Sequence, residues 1–302
     1  MAMTATAEER SRRVQQARAR FARDPFAGWL GLTISEAAPD RAVVVLPYRL
    51  EHMNAGGVLN GGASASLLTM AGTVAAWTGV DLDAEPHLGC VDLSLQYLAA
   101  ATEEDVVAEA RVLRRGRDLA FLDVALSSRA GQAICRGLLI YKATDYAGRT
   151  PRLRGEHVLL PAPSPLTPPA AHRLFRGYVE KLEITPLHQS PGRVRLHMPS
   201  TPMHVDERGQ LHAGALASIV DIAAVAASWS LVPRRQGARG STIGMQVSYP
   251  GTAAGPVVAD AHVQQRSEQW LFSTVHVTSE VSGQLVAMGQ VTYRLLEPWP
   301  EG

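Results

Sequence analysis

Apolar and polar positions alternate through two short runs, Arg41-Ala-Val-Val-Val-Leu46 and Gly192-Arg-Val-Arg-Leu-His-Met198. That two-residue period predicts half-buried strands. A turn rich in glycine or charge follows each run, at 54–60 and 206–210. Two long segments of small residues come next, Gly61 to Thr78 and Ala213 to Leu231, with Ala, Ser, Leu and Ile at helical spacing and no proline. Alanine all round such a helix predicts that it is enclosed by the rest of the fold. Further strands are expected at 89–97, 105–115, 119–128 and 133–142, then at 242–249, 256–266, 270–279 and 285–295. Ala7 to Ala22 reads as an amphipathic helix on the outside of the first half, with Ala170 to Val179 as a shorter counterpart.

The pattern repeats because the sequence does. Asn60-Gly-Gly-Ala-Ser-Ala-Ser-Leu-Leu-Thr69 matches His212-Ala-Gly-Ala-Leu-Ala-Ser-Ile-Val-Asp221 at an offset of 152. The same offset pairs Pro39 with Pro191, His52 with His204, Asn54 with Asp206, Cys90 with Thr242 and Tyr97 with Tyr249. Val106 to Val112 matches Val257 to Val263 at 151, and the register returns to 152 at Gly131 and Gly283. Slips of one residue are what loop insertions produce, and an ordered series of this kind marks a tandem duplication. The expected organisation is a helix over 1–24, repeat 1 over 25–143, a linker over 144–171 and repeat 2 over 172–302. Prolines 151, 161, 163, 165, 168 and 169 make the linker semi-rigid and extended, able to cross a domain face at about 3 Å per residue.

Composition narrows the function classes. A net charge of +1 gives no reason to expect a nucleic-acid partner. No run of about 18 apolar residues occurs, so no spanning helix and no membrane partner are expected. Two cysteines, Cys90 and Cys135, are too few for a disulfide framework, and the Arg- and Glu-rich start is unlike a secretory signal. A cytoplasmic protein is the expectation.

Strand, buried helix, then a run of antiparallel strands is an α+β arrangement in which one curved sheet wraps one helix, the hot-dog fold. Two tandem copies make the usual pairing of such domains intramolecular, a pseudo-dimer. Most of both repeats resembles the PaaI-like hot-dog thioesterases. Their motif is an Asn, six positions later His-Gly-Gly, and nine after that His an Asp on the helix. In that family the Asn and His-Gly come from one subunit; the Asp and a Ser or Thr on the following strand come from the other. A helix-start N–H polarises the thioester carbonyl, and the carboxylate acts as base or nucleophile.

Carried over by that resemblance, site one combines Asn54, Asn60 and Gly61 of repeat 1 with Asp221 and Thr242 of repeat 2. Asn60 stands where the family has His. Site two combines Asp206, His212 and Ala213 with Thr69 and Cys90, and has no helix carboxylate. Water activation needs a base, so site one is the expected catalytic site and site two a degenerate one. Other readings stand beside these: Asn54 as a turn residue, His212 as a helix cap, and Cys90 as a core thiol.

Repeat 1 carries Arg114, Arg115 and Arg117 around Gly116 where repeat 2 has Arg266-Ser-Glu-Gln, and that cluster suits the anionic end of coenzyme A, or simply a solvated hairpin. The resemblance implies hydrolysis of an acyl-CoA thioester without cofactor or metal, and a homodimer of tandem pairs. The rival readings are a catalytically degenerate acyl-CoA-binding or regulatory protein, and a hot-dog hydratase or dehydratase. The last pairs an Asp with a His a few residues on, which neither helix start shows.

Overall fold

The structure is a computed structural model, and it describes residues 6–84, 87–116, 118–144, 177–232 and 238–296. Most of the linker expected at 144–171 and the stretch 170–176 lie outside the described residues. The helices are α1 (Ala7–Phe21), α2 (Pro25–Leu30), α3 (Gly61–Trp77), α4 (Tyr178–Lys181) and α5 (Ala213–Trp229). Repeat 1 contributes β1 (Thr33–Ala38), β2 (Arg41–Leu46), β3 (His87–Tyr97), β4 (Val106–Arg115), β5 (Leu119–Ser128) and β6 (Ala133–Thr144). Repeat 2 contributes β7 (Thr185–Ser190), β8 (Arg193–Met198), β9 (Arg239–Ser248), β10 (Val257–Ser267), β11 (Trp270–Ser279) and β12 (Leu285–Leu296).

All of these strands form one antiparallel sheet in the order β1-β2-β4-β5-β6-β3-β9-β12-β11-β10-β8-β7. The order is the same read outward from the β3–β9 seam in either direction, as a duplicated fold paired through one edge requires. Ser94 and Gln246, a pair at the repeat offset, face each other in that seam. The local pseudo-twofold axis therefore passes between them. The matches expected from periodicity are the long strands and helices. Strands β1 and β7 were not expected, because Thr-Ile-Ser-Glu-Ala-Ala and Thr-Pro-Leu-His-Gln-Ser carry weak alternation. Both are outermost strands, where a proline such as Pro186 and a register shift are tolerated.

The short helices are related by the repeat. By the repeat offset, α4 corresponds to α2 and not to the leading helix α1. Helix α2 starts because Asp24 accepts the Ala27 N–H at 2.9 Å and Pro25 has no N–H to satisfy, and it stops at Gly31 in the left-handed region. Helix α1 starts on a capping box, Thr6 with Glu9.

The two long helices lie under the sheet and against each other. Side chains along α3 and α5 are buried on nearly every face, so neither helix has a solvent stripe. Their small residues allow a close approach at the axis. A β-carbon on Gly62 would stand 2.9 Å from Ser218 Cα, and one on Gly214 would stand 2.9 Å from Ser66 Cα. Glycine is required at both positions by this backbone contact. Ser66 and Ser218 hydroxyls meet on the axis at 3.0 Å, and each donates to the opposite helix start, Ser66 to Gly214 O and Ser218 to Gly62 O. Tyr178 Oη joins them, 2.9 Å from Ser66 Oγ and 3.2 Å from Ser218 Oγ. This wholly buried polar cluster is satisfied, which removes the desolvation penalty that lone hydroxyls would carry there.

Candidate active site

The helix crossing sets where each helix start points. Residue 61 opens α3, and the α5 side chain that reaches it is two turns beyond its own helix start. A β-carbon at Gly61 would lie 2.6 Å from Asp221 Oδ2. The carboxylate therefore rests on the opening of the other repeat's helix, where unpaired N–H groups and the positive end of the dipole favour negative charge. Its second oxygen, Oδ1, accepts the Thr242 hydroxyl of β9 at 2.7 Å. Asp221 is 3% exposed.

Burial pushes the Asp221 carboxyl up to about 6, against the opposing pull of the Thr242 hydroxyl and the Gly62 N–H. No cation offsets that burial among the groups acting on it. The helix start itself is organised by Asn60, the N-cap, whose Oδ1 accepts the Gly62 N–H at 2.8 Å. Its amide nitrogen, Nδ2, has no partner among the described residues. The Gly61 N–H, at the first helical position, has no acceptor within the helix. Tyr97 of β3 donates its hydroxyl to Gly61 O at 2.8 Å, and burial with the nearby Asp221 charge holds that phenol protonated.

Four of the five residues assigned to site one thus converge: Asp221, Thr242, Gly61 and Asn60. Asn54 differs. It is exposed, and its Oδ1 accepts the backbone N–H groups of Gly56 and Val58 within its own turn. The expectation of Asn54 beside a bound carbonyl is corrected to the turn reading, since a five-residue loop offers an Asx acceptor nearer partners. Asp206 does the same in repeat 2, accepting from Arg208 and Gln210 N–H groups.

At the second helix start, His212 caps α5 by accepting the Gly214 N–H on Nδ1 at 3.0 Å, and its ring stacks on Phe26 at 4.5 Å. Burial lowers its pKa to about 4, so the imidazole is neutral. Thr69, at the position equivalent to Asp221, turns its hydroxyl back to Ala65 O at 2.7 Å. Ala213 replaces Gly61 by the repeat offset, so the larger helix start goes with the shorter opposing side chain. Cys90, on β3, has its thiol pushed up by burial and by Asp92, which leaves it inert as a nucleophile.

Of the three arginines, the structure engages Arg115 elsewhere. Arg115 makes two hydrogen bonds to Asp40, at 3.1 and 2.6 Å, and one to Ala76 O in the last turn of α3. A guanidinium satisfying a helix C-terminus is a structural cap and is not available to a nucleotide. Arg114 is exposed, and Arg117 lies outside the described residues. Sequence reasoning passed over Ser66, Ser218 and Tyr178 as site-forming groups. The serines could have been found, because each recurs at offset 152 in a helix otherwise apolar. Tyr178 could not, because Phe26 stands at its offset partner.

Among the described residues no helix is long and apolar enough to cross a membrane, and no three His, Cys, Asp or Glu side chains are grouped to hold a metal ion.

Comparison with known proteins adds sequence and fold relatives. Residues 56–135 match the model of the thioesterase superfamily, and residues 171–295 match a domain of unknown function (DUF4442). The human protein called acyl-coenzyme A thioesterase 13 is 30% identical over 115 residues, covering 37% of this chain and 80% of that protein. Among solved structures, an acyl-CoA thioesterase II from Mycobacterium marinum superposes with a TM-score of 0.63 at 15% identity, over 92% of this chain and 99% of that one. A hot-dog protein of unknown function from Alicyclobacillus acidocaldarius gives 0.62 at 15% identity, over 88% and 97%. These two share the fold across nearly the whole chain.

Proposed function

The chain belongs to the thioesterase superfamily, and from that premise we propose that it hydrolyses an acyl-CoA thioester at the site shared by Asp221, Thr242, Gly61 and Asn60. The observation that carries this reading is the seating of the Asp221 carboxylate on the α3 start, with Oδ1 held by Thr242 and Oδ2 turned toward Gly61.

In this reading the substrate carbonyl oxygen accepts the Gly61 N–H, with Asn60 Nδ2 as a second donor. Asp221 Oδ2 takes a proton from a water molecule as the water oxygen adds to the carbonyl carbon. Negative charge then develops on the carbonyl oxygen, beside the helix start. Collapse of the tetrahedral species breaks the C–S bond, and the proton on Asp221 passes to the departing thiolate. The products are a carboxylic acid and coenzyme A, with water as co-reactant. A buried carboxyl with a pKa of about 6 suits a base at neutral pH: it is largely ionised there, yet basic enough to accept a proton. The surrounding repeats are read as 25–143 and 172–302, and the fused pair as one half of a homodimer.

A silent acyl-CoA-binding protein is the second reading, favoured by the Asn at position 60. Turnover of a panel of acyl-CoAs by the wild type and Asp221→Asn separates the two. Hydrolysis by the wild type and its loss in the variant is the expected result. Tight binding without hydrolysis by either would overturn it.

A further inference from the structure

A cavity beside His212 shows which residues surround a helix start in this fold. Thr73, Trp77, Leu88 and Tyr141 line it together with His212 and Ala213. At the repeat offset their equivalents are Val225, Trp229, Gly240 and Tyr293, around Asn60 and Gly61. The tryptophan and the tyrosine are kept between the repeats, and the other two residues differ. From this arrangement we infer that Trp229 and Tyr293 form the end wall of the acyl channel at the Asp221 site and restrict it to short acyl chains. The inference rests on the acyl-CoA reading above and adds the residues that set chain length.

The two differences rewire the tyrosine. In repeat 1 the Tyr141 hydroxyl is tied to its own repeat's helix, 2.8 Å from Thr73 Oγ1 and 2.9 Å from Thr69 O. Val225 offers no hydroxyl, so Tyr293 has no counterpart of the first bond. Gly240 lacks the side chain that Leu88 carries, and Tyr293 occupies that space: a β-carbon at position 240 would overlap its Oη. There the phenol oxygen accepts the Trp229 Nε1–H at 2.9 Å. Two large rings are thus joined across the gap between α5 and β12. Gly240 is exposed, so the joined rings stand between the channel and solvent.

The channel follows one face of α5. Asp221, Val225 and Trp229 are spaced four apart and lie along one side of the helix. Ala213, Val225 and Trp229 are the residues of α5 that are not buried, which marks an open strip leading to the carboxylate. Tyr293 is in register with Thr242, the residue that donates to Asp221. Burial and the Asp221 charge both raise the Tyr293 phenol, so it stays a neutral hydroxyl. Val225, Trp229 and Tyr293 carry no charge, which suits a hydrocarbon rather than a nucleotide. Trp229 stands two turns beyond Asp221, and a tryptophan in a helix leans back over the turn before it. That leaves about one turn, roughly 5 Å, between the carboxylate and the wall. At about 1.2 Å of advance per bond in an extended chain, the space holds an acyl group of about four or five carbons.

The test is a series of acetyl-, butyryl-, hexanoyl- and decanoyl-CoA turned over by the full chain. For the wild type, kcat/KM should peak at butyryl or hexanoyl and be lower by about tenfold or more at decanoyl. Trp229→Ala should raise the decanoyl-to-butyryl ratio by about tenfold or more. Should that variant fail to melt cooperatively, Val225→Phe narrows the channel instead and should lower the hexanoyl-to-acetyl ratio by a similar factor. A wild type that hydrolyses decanoyl-CoA as well as butyryl-CoA, or an unchanged ratio in Val225→Phe, would overturn the inference. So would a Trp229→Ala variant that changes every substrate by one common factor, because Trp229 would then stand at the entrance for the pantetheine arm. The hydrolytic reading fails differently, by absence of turnover at every chain length. The same ratios, read as Kd for analogues in which a methylene replaces the thioester sulfur, then decide the wall on their own.

Discussion

Asp221 and Gly61, on different repeats, are matched in size. The carboxylate Oδ2 occupies the space that a β-carbon at position 61 would need, 2.6 Å away. At the other helix start the equivalent pair is Thr69 and Ala213, with the bulk exchanged. Gly61→Ala should therefore push the carboxylate off the helix start. We expect a stability loss of about 1–3 kcal/mol by thermal melting, together with a fall in kcat of at least tenfold. Ala213→Gly should change kcat less than twofold. Equal effects of the two substitutions would refute the pairing.

Asp221→Asn keeps the shape and an acceptor for Thr242 but removes the proposed base. A drop in kcat of roughly 10²–10⁴ is expected, with KM changed much less. Single turnover in ¹⁸O-water should put the label in the released carboxylic acid. Label in the Asp221 side chain would mean nucleophilic attack and not base catalysis.

The pH profile follows from burial. Because the proposed base must be ionised and the Asp221 pKa is about 6, kcat/KM should rise with pH through that value and then level off. Thr242 donates to the carboxylate and lowers its pKa, so Thr242→Val should move the inflection upward and Thr242→Ser should restore it. An inflection that stays near 6 in the valine variant would remove Thr242 from this role.

The same group has a stability signature of opposite sign to an ion-paired aspartate. Its folded pKa is raised above the unfolded 3.8, so the folded state binds the proton more tightly. The favourable contribution is complete below pH 3.8 and is lost as pH rises through about 6. At pH 7.5, Asp221→Asn should thus be more stable than the wild type, by on the order of 1–3 kcal/mol. Denaturant melts at pH 7.5 and pH 4 measure this, and the gap should close at the lower pH. A variant less stable than the wild type at pH 7.5 would contradict the burial argument.

Arg115 distinguishes a nucleotide contact from a helix cap. Bonded to Asp40 and Ala76 O, it should cost about 1 kcal/mol of stability when replaced by alanine, and KM for acyl-CoA should move less than twofold. A tenfold rise in KM with an unchanged melt would restore the coenzyme A assignment.

The sequence by itself determined the duplication, the order of the long elements and which repeat carries the helix carboxylate. Those features are written in local periods of two and 3.6 residues and in a register of 152, so they need no knowledge of what lies opposite. It also placed Asp221 with Gly61, but only through a resemblance, since 160 positions separate them.

The tertiary structure decided what each polar atom touches. Asn54 was legible as turn or site and resolved to the turn, because its acceptor finds Gly56 and Val58 within the loop. Arg115 was read from a cluster of like charges, whereas its partner Asp40 lies across the fold, 75 residues away. The edge strands β1 and β7 depend on a neighbour's free edge more than on their own residues. The cavity beside His212 is bounded by Trp77 of α3, Tyr141 of β6 and Leu216 of α5, three elements far apart in the chain. Hydrogen bonds and packing across such distances leave no period in the chain, and that is why only the folded form shows them.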